Sequence, residues 1–127
     1  MAYQFICYSN CSTCKKARKW LDDRDISYVF RDIKADRPNV EELNQWLPLS
    51  KLPIRKFFNI NGQSYRSLSV KDYLDDLPTE QIIHILAGDG MLVKRPLLVG
   101  NDFVLVGFTE EVWEVQFKKQ LTYHQSV

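Results

Sequence analysis

Tyr3-Gln4-Phe5-Ile6-Cys7-Tyr8-Ser9-Asn10-Cys11-Ser12-Thr13-Cys14-Lys15-Lys16-Ala17 carries two changes of pattern in a short space. Tyr3 to Tyr8 is a short apolar run and reads as a buried strand. Ser9-Asn10 breaks it. From Cys11 to Asp23 the pattern is helical: Ala17, Trp20 and Leu21 follow the i, i+3, i+4 rule, while Lys15, Lys16, Arg18 and Lys19 fall mostly elsewhere. Ile26 to Ile33 is rich in β-branched and aromatic residues and reads as a second strand. The three pieces make a β-α-β unit with a Cys-x-x-Cys motif at its first strand-to-helix turn.

Beyond this unit the pattern is helical. Asn39, with Glu42 three residues on, is a capping box for a helix through Leu43, Trp46 and Leu47, which Pro48 is expected to stop. Ser50 is a candidate cap for a helix through Phe58, ended by Asn61-Gly62. Ser69 would cap Val70 to Leu77, and Thr79 would cap Glu80 to Ala87, with Gly88 at its end. Leu97 to Val99 and Phe103 to Val106 then read as strands joined at Gly100-Asn101-Asp102, a tight hairpin. Thr109 opens a last helix to about Lys118, and Leu121 to Val127 is expected to fray. The fold class is therefore α/β. The order β-α-β, helices, β-β-α is that of a thioredoxin-like fold with a four-stranded mixed sheet and a helical insertion at about residues 38–88. The whole chain, residues 1–127, reads as a single domain.

Composition narrows the function. The chain has 127 residues, a formal charge of +1, 45% apolar and 26% charged residues, which is ordinary for a soluble globular protein. Neither direct nucleic-acid binding nor membrane insertion is expected. The stretch from Met1 to Ile6 lacks a basic n-region and a cleavage site, so a cytoplasmic protein is expected. The three cysteines lie between positions 7 and 14, too close together to staple a fold. Chemistry is the better explanation of the cluster.

Two residues between cysteines at a helix start place the thiols one turn apart on one face, at a spacing a disulfide can bridge. Cys11 would sit at the helix N-terminus, where free N–H groups and the macrodipole favour the reactive thiolate. Cys14 would then resolve an adduct on Cys11, through a redox disulfide between the two. A zinc site would need two further ligands; Cys7, His84 and His124 have no finger-like spacing, so no metal is expected. Cys7, inside an apolar strand, reads as a core residue. No phosphate loop, HExxH or GxSxG is present.

Ser9 to Ala17, Lys94-Arg95-Pro96-Leu97-Leu98-Val99 and Val106-Gly107-Phe108-Thr109-Glu110-Glu111 together resemble the arsenate reductase-like (ArsC) family. This is the glutaredoxin-coupled type, together with the Spx regulators. Arg55 to Phe58 and Tyr65 to Leu68 add to the likeness, which runs from about Tyr3 to Phe117. The resemblance implies a Cys11 nucleophile, Arg95 beside it as a further catalytic group, and Pro96 as a cis proline facing the site. It implies an anion-binding set of Arg55, Arg95, Pro96, Ser12 and Thr13. An arginine fork suits an oxyanion or thiolate.

The chain departs from the arsenate-reducing branch at four positions. Gly107 stands where a third arginine is expected. Cys7 stands roughly where there is a histidine, Ser9 replaces a proline, and Cys14 replaces a non-cysteine residue. Loss of one charge-assisted contact, worth about 1.5–3 kcal/mol, weakens the case for arsenate as substrate.

The expected function is a thiol-dependent oxidoreductase with no tightly bound cofactor. Glutathione, glutaredoxin or thioredoxin would be the reducing co-substrate, and the protein a monomer whose partner is a thiol-redox protein or small thiol. The alternative is an Spx-like redox-sensing regulator that binds the C-terminal domain of the RNA polymerase α subunit. The stripe Lys15, Lys16, Arg18 and Lys19 would suit an acidic partner, although a solvated helix face is the simpler explanation.

Overall fold

The computed structural model describes residues 3–72 and 74–125, with side chains as far as 119. Strand β1 (Tyr3–Cys7) leads into helix α1 (Ser12–Asp23) and strand β2 (Tyr28–Asp32). Helices α2 (Val40–Ser50), α3 (Gln63–Ser67) and α4 (Thr79–Ala87) come next, with 3-10 turns at Ile54–Phe57, Val70–Asp72 and Gly90–Leu92. Strands β3 (Leu97–Val99) and β4 (Val104–Val106) and helix α5 (Glu110–Gln125) complete the chain.

The sheet has the order β2-β1-β3-β4. β1 pairs with β2 in parallel, Phe5 opposite Phe30, and with β3 antiparallel, Phe5 opposite Leu98. The β3–β4 hairpin is antiparallel, and the Gly100 N–H donates to the Phe103 carbonyl at 2.9 Å. This is the expected mixed sheet of a thioredoxin-like fold.

Strand alternation splits the core in two. Phe5, Cys7 and Leu98 pack with Cys14, Ala17, Trp20 and Leu21 of α1 and with Trp113 of α5. Ile6, Leu97 and Val99 pack with Leu43 and Trp46 of α2 and Ile82, Ile83 and Leu86 of α4. Both faces of the sheet are covered at its centre, and β3 and β4 read as unbroken apolar runs.

α2 starts as expected. The Glu42 N–H donates to Asn39 Oδ1 at 2.8 Å, and the Asn39 N–H to Glu42 Oε1 at 3.1 Å. Elsewhere the insertion differs from its sequence reading. Pro48 lies inside α2, which ends only where Lys51 turns left-handed at φ 58°. A proline in the last turn removes one hydrogen bond that the helix end can spare.

Ser50 starts no helix; its hydroxyl donates to the Leu47 carbonyl at 2.6 Å and so closes α2. Pro53 then holds the chain extended, and the next segment is only a 3-10 turn. Asn61-Gly62 does not stop a helix: Gly62 is the N-cap of α3, which periodicity missed because it spans a single turn. Ser69 takes φ 51° instead of capping, and only the turn Val70–Asp72 forms where a helix to Leu77 was expected. Tyr73 is outside the described residues.

Pro78, not Thr79, is the N-cap of α4. β2 and β4 are shorter than expected. α5 continues through Leu121 to Gln125 where fraying was expected, and Ser126 and Val127 lie outside the described residues. No helix among the described residues is long and apolar enough to cross a membrane.

Candidate active site

Cys11 ends the turn after β1. Its N–H donates to the Tyr8 carbonyl at 3.0 Å, and its carbonyl accepts from the Lys15 N–H at 3.2 Å. It is the N-cap of α1, and its side chain makes no capping bond. The thiol is free and the residue half-buried. The first turn of α1 has no acidic residue, so nothing within the helix offsets the positive field at that end.

A cleft of about 420 Å³ opens at this residue. Cys11 and Thr13 form one wall, Phe58 to Asn61 a second, Lys94 and Arg95 a third, and Val106 to Thr109 a fourth. Backbone bonds hold the insertion against the third wall. Phe58 and Val93 form an isolated bridge, the Asn59 N–H donates to the Leu92 carbonyl at 2.7 Å, and the Lys94 N–H to the Phe57 carbonyl at 2.7 Å. The Arg95–Pro96 peptide bond is cis, as expected. Pro96 is buried behind the wall, and its carbonyl accepts from the Gly107 N–H at 2.8 Å. Arg95 Nη1 donates to the Val93 carbonyl at 3.1 Å, and the guanidinium lies 5.6 Å from the centre of the Tyr8 ring.

Gly107 has φ 76°, where a side chain is strained, and a Cβ there would meet Lys94 Cε at 2.9 Å. The stem of Lys94 therefore occupies the space over Gly107 where the resemblance implies an arginine. Lys94 brings a cation to the cleft from the segment that enters β3. The sequence alone points to no role for this lysine beyond its place next to Arg95; the positive φ of Gly107 is what sets its stem over the cleft. The Gly107 carbonyl accepts from Trp113 Nε1 at 3.0 Å, which ties the fourth wall to α5.

The expected site residues are only partly brought together. Cys11, Thr13 and Arg95 share the cleft. Ser12 is exposed outside it, because it is the first residue of α1 and faces solvent. Arg55 lines a neighbouring cleft of about 540 Å³ with Lys56 and Lys71, held there by an ion pair with Asp75. Phe58, Ile60 and Lys94 border both clefts. His84 is exposed on α4, and the side chain of His124 is outside the described residues.

The cysteines are also arranged differently from expectation. Cys14 is joined to Cys7, with Cα atoms 5.9 Å apart, and the expected Cys11–Cys14 disulfide is not the one present. Cys7 faces the α1 side of β1, where Cys14 enters from the first turn of the helix, and both are buried. Cys7 is thus more than the core residue expected. The sequence places Cys7 in the strand before the motif helix; the packing of that strand on α1 is what brings it to Cys14.

The sequence model of the ArsC family matches residues 7–116. A solved protein from Bacteroides fragilis, described as ArsC family related, superposes with a TM-score of 0.88 at 50% identity, covering 90% of this chain and 96% of its own. The uncharacterized protein YusI of Bacillus subtilis is 39% identical over 114 residues, 90% of this chain and 97% of YusI. The global transcriptional regulator Spx of Staphylococcus aureus is 28% identical over 102 residues, 80% of this chain and 76% of Spx. With the family pattern running from the end of β1 into α5 on this sheet, the chain belongs to the ArsC family.

Proposed function

We propose that the protein is a thiol–disulfide oxidoreductase with Cys11 as nucleophile and Cys14 as the resolving thiol. The observation that carries this reading is the free Cys11 at the uncapped start of α1, in a cleft walled by Lys94 and Arg95. From this position at the helix end, Cys11 as thiolate attacks one sulfur of a disulfide and expels the other. Cys14 then displaces the remaining substrate thiol from Cys11. Glutathione, glutaredoxin or thioredoxin returns the electrons, no cofactor stays bound, and the protein acts as a monomer in the cytoplasm. Arsenate is the weaker candidate substrate, because Lys94 offers a point charge where an arginine would offer a fork.

The test is consumption of bis(2-hydroxyethyl) disulfide by the reduced protein, with glutathione and its reductase regenerating the thiols. Turnover no faster than that of Cys11→Ser defeats the reading. Arsenate in place of the disulfide tests the narrower activity.

The similarity to Spx supports a second reading, docking on the C-terminal domain of the RNA polymerase α subunit with the cysteines as switch. Pull-down with that isolated domain, before and after oxidation, decides it; no binding in either state removes the regulator.

A further inference from the structure

Three cysteines share one cluster. Cys7 is 0% and Cys14 4% exposed, and half-buried Cys11 packs against the same group of side chains. Cys14 is the middle member. It stands one turn from Cys11 along α1, and its Cα is 5.9 Å from that of Cys7 on β1. The Tyr8 N–H also points at the Cys14 sulfur, 3.4 Å away. The disulfide present uses the two buried thiols and leaves the cleft-facing one free. A purely structural staple explains this arrangement poorly, since β1 and α1 are already joined by a short turn and packed on each other.

We propose that Cys7 is a second resolving residue, and that the Cys7–Cys14 disulfide is the end state of a three-thiol relay. The relay rests on the oxidoreductase reading above and extends it. The Cys11 thiolate attacks a disulfide RS–SR′, forms Cys11–SR and releases R′S⁻. The Cys14 thiolate attacks the Cys11 sulfur, forms Cys11–Cys14 and releases RS⁻. The Cys7 thiolate then attacks the Cys14 sulfur, forms Cys7–Cys14 and releases the Cys11 thiolate. The protons lost by Cys7 and Cys14 go to the two departing thiolates. Overall, the substrate disulfide gains two electrons and becomes two thiols, and the Cys7–Cys14 pair loses them. Cys11 ends as it began, free in the cleft. The oxidised pair is stored beneath it, out of contact with bulky thiols. Reduction runs the same steps backwards through Cys11.

The experiment follows the protein through one oxidation. Reduced wild-type protein is treated with bis(2-hydroxyethyl) disulfide and quenched in acid. Free thiols are alkylated with light iodoacetamide under denaturing conditions. Disulfides are then reduced, labelled with heavy iodoacetamide and located by fragment mass spectrometry. The relay predicts light label on Cys11 and heavy label on Cys7 and Cys14. Heavy label on Cys11 and Cys14 with light label on Cys7 overturns it. Cys7→Ser should stop one step earlier, as Cys11–Cys14, and lose light label on Cys11 by at least about tenfold; a mixed disulfide that persists on Cys11 overturns the relay.

Cys11→Ser separates this proposal from the reading beneath it. If Cys11→Ser forms Cys7–Cys14 as fast as wild type, Cys11 is neither nucleophile nor relay member, and both ideas fall. If Cys11→Ser is inert but wild type ends as Cys11–Cys14, only the relay falls. The wild-type arm needs no variant, so a Cys7→Ser protein that folds poorly leaves the decision intact.

Discussion

Phe5, Cys7 and Leu98 on one face of the sheet meet α1 and α5, two helices of several turns each. Ile6, Leu97 and Val99 on the other meet α2, α4 and 3-10 turns from the insertion. The first face is sealed by aromatic rings: Trp20 and Trp113 cross edge to face at 5.6 Å, and Phe108 meets Trp113 at 4.8 Å. It holds all three cysteines. The second face is a larger aliphatic and aromatic cluster with no such group. The insertion reaches the chemistry only at its edge, where Phe58 to Asn61 form one wall of the cleft. The difference separates two tasks: one face gathers the three cysteines, and the other secures the sheet and lends a loop to the cleft.

Large-to-small substitution on each face tests that separation. Trp113→Ala should cost about 3–5 kcal/mol in urea unfolding. It should also slow disulfide turnover by the molecules that remain folded, because the Gly107 carbonyl loses the indole donor. Leu43→Ala, on the insertion face, should cost about 2–5 kcal/mol and leave turnover by the folded fraction unchanged. If both variants slow turnover equally, the faces are not functionally distinct.

Reducing the Cys7–Cys14 disulfide should lower stability by about 2 kcal/mol, the loop-closure entropy of a short bridge; the check is urea titration with and without dithiothreitol. Asn39→Ala should cost about 1 kcal/mol, since it undoes the capping box of α2. Glu42, in the same box, is held below the usual carboxylate range, first by hydrogen bonds from Arg31 and then by the Asn39 N–H. Its contribution is complete above its unfolded value of about 4.3 and is lost as the pH falls through the lower folded value. Unfolding midpoints of wild type and Glu42→Gln should therefore converge in acid. Arg55→Ala should be the smallest effect, within about 0.5 kcal/mol, because the ion pair with Asp75 is exposed on both sides. Disulfide turnover that drops sharply in Arg55→Ala would show that the neighbouring cleft takes part in the chemistry.

Legibility in the sequence follows the same division. α1 could be read because Ala17, Trp20 and Leu21 repeat at helical spacing, and β1 because its run is apolar on both faces. The α2 start was readable from Asn39 and Glu42 alone, since a cap is a local bond. α3 has a single turn and no period to show. Ser50 and Ser69 are good caps in isolation, but a proline after one and a left-handed turn at the other redirected the chain.

At the site, Cys11 and Arg95 were accessible through their motifs. Lys94 required knowing that Gly107 adopts a positive φ beneath it. Arg31 gave no warning of its place. It donates to Glu42 at 2.6 and 2.8 Å yet belongs to no motif, because its partners come from β1, α2 and the loop between β2 and α2. The pairing of Cys7 with Cys14 depends on how a strand face meets a helix face, which spacing along the chain does not state.

The bond from Trp113 to Gly107 also has a bearing on synthesis. Cys11 leaves the ribosome well before α5, the helix that sets the fourth wall of its cleft. A product cut short before α5 carries the thiol and its motif but no partner for the Gly107 carbonyl and no aromatic seal over the cysteines. Such a fragment leaves the three cysteines without the cover of Trp113. The cleft is therefore complete only once α5 has been made and has docked.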